Sequence, residues 1–336
     1  MEFEFHRGAV HLPALGLWLD AHKPIGPAEA VFVSHAHSDH IAGHAEVFLT
    51  PATRDLMRAR VSGERIEHVL EFGQRVDLSA AGFKVRRPAH LTLLPAGHVL
   101  GSAMSLVESE AGSLLYTGDF KLQAGRSAEL CEPRHADVLV METTFGRPKY
   151  TFPPLADVAA QVVTWCRATL AEGAVPLLLA YSLGKSQEIL PSLTEAGLRV
   201  MLSPPTAKMS RIYARFGRAM GAWEEWDVER AAGCVVLAPP GAKLNALKAA
   251  AGGKLRTAVL TGWAIDSGCR FRYQADAAFP LSDHADFPDL LEFVKRVAPK
   301  RVFTLHGYAT EFATKLRELG IEAWALGEEN QMTLKL

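Results

Sequence analysis

In the stretch Val31-Phe32-Val33-Ser34-His35-Ala36-His37-Ser38-Asp39-His40, an apolar β segment runs directly into three imidazoles and a carboxylate. No other stretch restricts the fold as much. Several imidazoles and a carboxylate at a buried strand end lose solvation free energy unless something ligates them. Nitrogen and oxygen donors this dense can chelate one or two borderline metals such as zinc or manganese. The alternative is a solvated loop that is merely rich in histidine. Against it stand two further donors at ordered spacing, His98 and Asp119. His98 follows an apolar run and lies between Gly97 and Gly101, which let backbone approach closely. Asp119, in Thr117-Gly118-Asp119-Phe120, closes another run. Strand ends are where rigid elements hold ligands in fixed geometry.

The bulk composition narrows the class. A chain of 336 residues, 49% hydrophobic and 22% charged, reads as an ordinary soluble globular protein with room for two domains. Its formal net charge of −1 gives no global basic field, so anion binding must come from local patches. Cys131, Cys166, Cys234 and Cys269 form no close pair. That argues against a disulfide framework or a thiolate metal site and fits a reducing cytosol. The start, Met1-Glu2-Phe3-Glu4-Phe5-His6, lacks a signal-peptide pattern. No run of about 18 apolar residues suggests a membrane span. The expectation is a cytoplasmic protein with no membrane contact.

Residues 1–150 read as short β segments joined by turns: Leu15–Asp20, Ala30–Ser34, Val47–Thr50, Leu91–Ala96, Ala103–Glu108 and Ser113–Thr117. Glu110-Ala111-Gly112 predicts a hairpin turn. After the proline-rich stretch 148–154 the texture changes. Leu155–Ala171 has helical apolar spacing and stops before Gly173, which suits a glycine just past a helix end. Val175–Ala180, Val200–Leu202, Val235–Ala238 and Thr257–Thr261 are apolar runs of the kind a parallel sheet buries on both faces. From about Arg270 to Pro280 the pattern shifts again. Then follow a helix over Asp286–Val297, a strand over Arg301–Leu305, a helix over Ala309–Leu319 and a strand over Ile321–Leu326. The coarse picture is one α/β domain interrupted by another.

The order H-x-H-x-D-H, then a lone histidine, then Gly-Asp, resembles the metallo-β-lactamase superfamily. The resemblance implies an α/β fold, an αββα sandwich with metals at the common edge of two stacked sheets. Carried over, His35, His37 and His98 would bind one metal, Asp39 and His40 the second, and Asp119 would bridge them. Asp20 matches the family's early aspartate, expected to orient the His35–His40 loop. Three later motifs resemble the β-CASP nuclease branch. These are Met141-Glu142-Thr143-Thr144-Phe145-Gly146, Leu281-Ser282-Asp283-His284-Ala285-Asp286 and Phe303-Thr304-Leu305-His306-Gly307. By this resemblance Glu142 and His284 form a hydrogen-bonded acid pair beside the scissile phosphate, and His306 completes the second metal's shell. Residues 1–150 and 269–336 would form the metallo-β-lactamase domain and 151–268 the inserted β-CASP domain.

The likeness extends to bacterial nucleases described as DNA-ligase-associated exonucleases, through Glu142–Gly146, Ala180–Glu188 and Ser282–Asp286. That group implies DNA. Yet DNA-acting members of the Artemis type carry valine at the third motif, and RNA-acting relatives such as ribonuclease J carry histidine, as here at His306. DNA hydrolysis in repair is therefore the first expectation, RNA processing the alternative, and hydrolysis of a small ester or thioester a distant third. A non-catalytic binding subunit is a further alternative, against which all the ligand positions are intact. The implied cofactors are two divalent ions, zinc first and manganese compatible, sharing a bridging hydroxide. In that mechanism Asp39, Asp119, Glu142 and His284 are catalytic. A DNA ligase or a helicase is the implied protein partner.

For substrate contacts, Tyr181–Gln187 follows an expected strand and opens an expected helix. The turn at Gly184 would present N–H groups to an anion, with Ser182, Lys185 and Ser186 as further donors, although a plain strand–helix turn remains open. Lys208, Arg211, Arg215 and Arg218 step by three and four on one helical face, a phosphate track or a solvated surface. Arg270 and Arg272 are weaker candidates. Among the other histidines, His44 lies close behind the first cluster.

Overall fold

The computed structural model describes residues 1–6, 8–26, 28–80, 85, 87–242 and 245–327. The chain divides into two compact units. One comprises 1–124, 128–148 and 284–336, and the other comprises 125–127 and 149–283.

The first unit contains two sheets. In spatial order the first runs Glu4–His6, Ala9–Leu12, Leu17–Leu19, Ala30–Phe32, Glu46–Leu49, Ile66–Val69, antiparallel up to Leu17–Leu19 and parallel beyond. The second runs Ala323–Ala325, Arg301–Leu305, Val138–Glu142, Gly112–Tyr116, Ala103–Ser109, Ala89–Pro95, Arg75–Asp77. It is parallel through Gly112–Tyr116 and antiparallel after it, turning tightly through Glu110 and Ala111. Strand alternation sends Leu17, Leu19, Phe32 and Phe48 of the first sheet into one core with Leu91, Val107, Leu114, Val138 and Phe303 of the second. Leu94, Met104, Leu115, Leu139 and Met141 point the other way, onto two helices, Phe287–Val297 and Ala309–Glu318.

The helix Phe287–Val297 shows how local chemistry sets its bounds. Asp286 Oδ1 accepts from the Asp289 N–H at 3.0 Å, and Pro288 sits in the first turn, where its missing N–H is harmless. Ala298 takes a left-handed conformation (φ 50°) ahead of Pro299 and ends it. Phe287, Leu290, Phe293, Val294 and Val297 form its buried face. On the first sheet, the helix Pro51–Arg58 buries Ala52, Leu56 and Met57. The layering is the αββα sandwich, with the second unit inserted between 148 and 284.

That second unit holds an all-parallel sheet in the order Glu224–Glu225, Val200–Leu202, Val235–Ala238, Val175–Leu179, Leu255–Leu260, Ala277–Phe279. Its central strands are buried along their whole length, which is why they read as unbroken apolar runs. The helix Leu155–Ala171 has the expected bounds, and Gly173 follows it at φ 70°. The return expected at 268/269 falls ahead of Ala277–Phe279, which pairs with Leu255–Leu260 and keeps the segment up to Asp283 in the second unit. Strands with no counterpart in the sequence expectations include Glu4–His6, Ala9–Leu12, Ile66–Val69, Arg75–Asp77, Glu224–Glu225 and Ala277–Phe279. All of these but Ala9–Leu12 are sheet-edge strands that are not fully buried, so alternation is weak there. Among the described residues no helix is long and apolar enough to cross a membrane.

The outer helices are central to this architecture. Phe293 is fully buried with its ring centroid 4.3 Å from that of Phe120. Phe293→Ala is expected to destabilise the first unit by about 3–5 kcal/mol. Thermal unfolding checks this, and an unchanged midpoint would show that this layer does not support the sheet.

Candidate metal centre

The donor loop departs from the Ala30–Phe32 strand, and its geometry depends on Asp20, at the end of Leu17–Leu19. Asp20 takes φ 51°, an uncommon value for a non-glycine residue. Its carboxylate accepts from Ser34 N at 2.7 Å, Ser34 Oγ at 2.6 Å, Tyr116 Oη at 3.0 Å and His40 Nδ1 at 2.9 Å. Burial raises the Tyr116 phenol pKa well above its usual value, so it stays a donor. Because Ser34 gives its hydroxyl proton to Asp20, its oxygen accepts from His35 Nδ1 at 2.9 Å. Both His35 and His40 are thereby protonated on Nδ1, which leaves each Nε2 lone pair pointing into the site.

Around that point the donors converge. His35 Nε2 and His98 Nε2 each lie 3.0 Å from His37 Nδ1. Asp119 Oδ2 lies 3.6, 3.5 and 3.7 Å from the Nε2 atoms of His35, His40 and His98. One ring proton cannot satisfy so many acceptors. Two nitrogens each about 2.05 Å from a tetrahedral ion stand about 3.3 Å apart, close to the spacings found. One ligand atom from each of His35, His37, His98 and Asp119 falls within a 4.8 Å cluster. The donor set therefore fits a divalent metal of the zinc type.

Electrostatics agree. Burial drives the His35 pKa well below its usual value and keeps the ring neutral, the form that ligates. Burial also acts against the Asp119 carboxylate, but the imidazoles of His40, His284 and His35 outweigh it and hold its pKa well below the usual range. For His40, burial lowers the pKa and the carboxylates of Asp119 and Asp20 more than reverse that.

Two glycines permit the close packing. A Cβ on Gly97 (φ 78°) would lie 2.3 Å from the Lys121 carbonyl oxygen, and one on Gly118 (φ 53°) would lie 2.5 Å from Ser34 Cβ.

Glu142 and His284 also meet. His284 Nδ1 is 2.8 Å from Glu142 Oε1, which also accepts from Phe120 N at 3.0 Å. The His284 ring centroid is 4.6 Å from that of His98. Asp39 and His306 are less closely drawn in. The Asp39 side chain is 73% exposed, with Oδ2 4.0 Å from His40 Nε2. His306 is exposed, its ring 6.1 Å from His40, on a left-handed turn (φ 60°) tied down by Thr143 Oγ1 donating to its carbonyl at 2.8 Å.

His22 was not anticipated. Its ring stands 6.3 Å from His40 and 6.4 Å from His306, Nε2 bonds the Gly8 carbonyl at 2.9 Å, and Nδ1 bonds the carbonyl of Asp39. Its place two residues after Asp20 was the available signal. His44 is buried, and burial lowers its pKa, but it stands outside the donor group.

In the second unit Lys185, Ser186 and the Gly184 N–H, among the expected phosphate donors, have protein partners. Lys185 is buried, ion-paired with Asp283, and 4.7 Å from the Tyr181 ring centre. Ser186 Oγ donates to the Tyr181 carbonyl at 2.8 Å, the Ser182 carbonyl accepts from Gln187 Nε2 at 3.0 Å, and Gly184 N donates to Gln187 Oε1 at 2.8 Å. The helix start is closed by its own residues. Lys208, Arg211 and Arg215 lie exposed on the helix Pro204–Arg215, with Arg211 paired to Glu225; Arg218 falls beyond its end.

A family model described as "Zn-dependent metallo-hydrolase RNA specificity domain" matches residues 277–326, spanning His284 and His306. A "Probable DNA ligase" of Opitutus terrae is 54% identical over 334 residues, 99% of this chain and 32% of that protein. The "5' exonuclease Apollo" of Gallus gallus is 28% identical over 297 residues, 83% of this chain and 59% of that one. "RNase aCSPSF2" of Saccharolobus solfataricus is 29% identical over 201 residues, 51% of this chain and 39% of that one. The chain belongs to the β-CASP nuclease branch of the metallo-β-lactamase superfamily. This β-CASP chain spans from about a third to three-fifths of the length of these relatives.

In the β-CASP chain, Asp20→Ala would leave the Ser34 N–H, the Tyr116 hydroxyl and the His40 Nδ1–H without their acceptor. Zinc affinity is expected to fall by about 10–100-fold, as for other residues that orient ligating histidines. Chelator competition checks this, and unchanged affinity would mean that the tautomers are set elsewhere. Chelation of the wild type is expected to lower its thermal midpoint, since a ligand at about 100 times its Kd stabilises by about 2.7 kcal/mol.

Proposed function

We propose that the chain is a metal-dependent phosphodiesterase acting on nucleic acid, with DNA as first substrate, exonucleolytic cutting as its mode and DNA repair as its setting. The observation that carries this reading is the Glu142–His284 pair at 2.8 Å beside the cluster of His35, His37, His98 and Asp119. It joins a metal-holding donor set to a group able to deliver a proton.

His35, His37 and His98 would hold one ion, and Asp39, His40 and His306 a second, with Asp119 shared. Bound divalent ions lower the pKa of water towards neutrality and offset the charge that builds on phosphate oxygens. The protein's own part is positional. Glu142 accepts the hydrogen bond of His284 Nδ1–H, so any proton His284 passes to the leaving oxygen comes from Nε2. The Phe120 N–H and, at 3.2 Å, the Thr144 N–H fix the Glu142 carboxylate in that orientation.

Similarity to a protein named as a probable DNA ligase supports DNA and a DNA ligase as partner, and similarity to one named as a 5′ exonuclease supports exonucleolytic cutting. RNA is the second reading, favoured by His306 in the third motif and by the RNA-specificity description of the matching segment.

The test is digestion of 5′- and 3′-labelled single-stranded DNA and RNA of one sequence, with zinc or manganese, by wild type and Asp119→Ala. Shortening of DNA from one end, lost in a folded Asp119→Ala, is the expected result. Cutting of RNA alone would transfer the assignment to RNA processing, and no metal-dependent cutting of either would overturn it.

A further inference from the structure

We propose that the turn Arg270-Phe271-Arg272 in the second unit is a stacking platform for unpaired bases, so that the chain engages single-stranded nucleic acid there. Phe271 is 74% exposed, although it sits in a short helix whose neighbouring residue Cys269 is fully buried. A single exposed apolar side chain is unremarked on most surfaces. This one lies between two exposed arginines. The Arg270 guanidinium carbon stands 5.3 Å from the Phe271 ring centre, within cation–π range. Among the described residues neither arginine makes an ion pair with a carboxylate, in contrast to Arg211, which Glu225 neutralises.

The turn is firmly anchored. Cys269 N donates to the Asp266 carbonyl at 2.9 Å, Arg272 N to Gly268 at 3.1 Å, Gln274 N to Phe271 at 3.1 Å and Ala275 N to Arg270 at 3.0 Å. The Asp266 carboxylate is in turn held by Lys149 at 2.7 Å and by the Tyr150 hydroxyl at 3.1 Å. Phe271 is thus displayed on a preorganised support, and docking a flat partner on it loses little conformational entropy. The same unit carries a second exposed aromatic. Tyr181 is 51% exposed, and it neighbours Tyr273, whose phenol pKa is raised by burial and by Tyr181 and lowered by nearby Arg272 and Lys185.

Rings alternating with cations are the pattern that binds single strands, the cations following phosphates and the rings receiving bases. A duplex keeps its base faces stacked inside, where Phe271 cannot reach them. The occupant is therefore a single strand. This inference rests on the nucleic-acid reading above and narrows it.

The experiment measures binding of a fluorescein-labelled, hydrolysis-resistant phosphorothioate strand to the metal-loaded chain by anisotropy. The ligands are the strand, its duplex and an otherwise equal strand with abasic positions. Phe271→Ala is expected to weaken strand binding by about 5–100-fold, the range for losing one stacked base, and Phe271→Trp to restore it. Abasic substitution should weaken wild type but leave Phe271→Ala nearly unchanged. Arg270→Gln and Arg272→Gln should each make log affinity against log salt shallower by about 0.7. Equal binding by wild type and Phe271→Ala would overturn the platform while leaving hydrolysis of labelled strands to judge the nuclease reading. Phe271→Ala that only turns a self-associated protein into a monomer would assign the patch to a second copy. Wild type that neither binds nor cuts any strand would overturn both.

Discussion

The carboxylate of Asp20 is the point on which the metal centre depends. It is buried, yet it accepts from four donors: a backbone N–H and a hydroxyl from Ser34, a phenol from Tyr116 and an imidazole from His40. A buried carboxylate this fully bonded loses little by leaving water. Through those bonds one side chain ties the end of the first sheet's Leu17–Leu19 strand to Tyr116 in the second sheet and sets two ring tautomers. The direction of two lone pairs thus has one origin, and one of the bonds behind it crosses between the two sheets.

Much of this was legible in the sequence, for physical reasons. Ligands clustered at the end of an apolar run have few bland explanations, so His35, His37, His98 and Asp119 could be named before their spacing was seen, and the structure gathers them within 4.8 Å. The Leu155–Ala171 helix was readable because its spacing and its glycine stop agree. Edge strands such as Ile66–Val69 were not, because with one neighbour and mixed exposure they lack clear alternation.

The Tyr181–Gln187 turn shows the opposite limit. Glycine, serine and lysine at a helix start compose an anion site on paper. In the fold, Lys185 is buried against Asp283, and Gln187 closes the turn by bonding Gly184 N and the Ser182 carbonyl. Local composition reports which donors exist, whereas their partners come from residues up to a hundred positions away. His22 makes the same point in reverse: it reaches the metal loop because the Leu17–Leu19 strand ahead of it ends beside that loop.

The order in which the parts of the site occur along the chain has a temporal meaning. The clustered ligands are complete at Asp119, but His284 and the Arg301–Leu305 strand that flanks Val138–Glu142 come from the final segment. On a translating ribosome, the early chain carries a chelating loop with no proton donor beside it. The group that would pass a proton to a leaving oxygen is installed last, after the whole inserted unit has been made. A chain that stalls before residue 284 thus carries the donor cluster without the Glu142–His284 pair beside it.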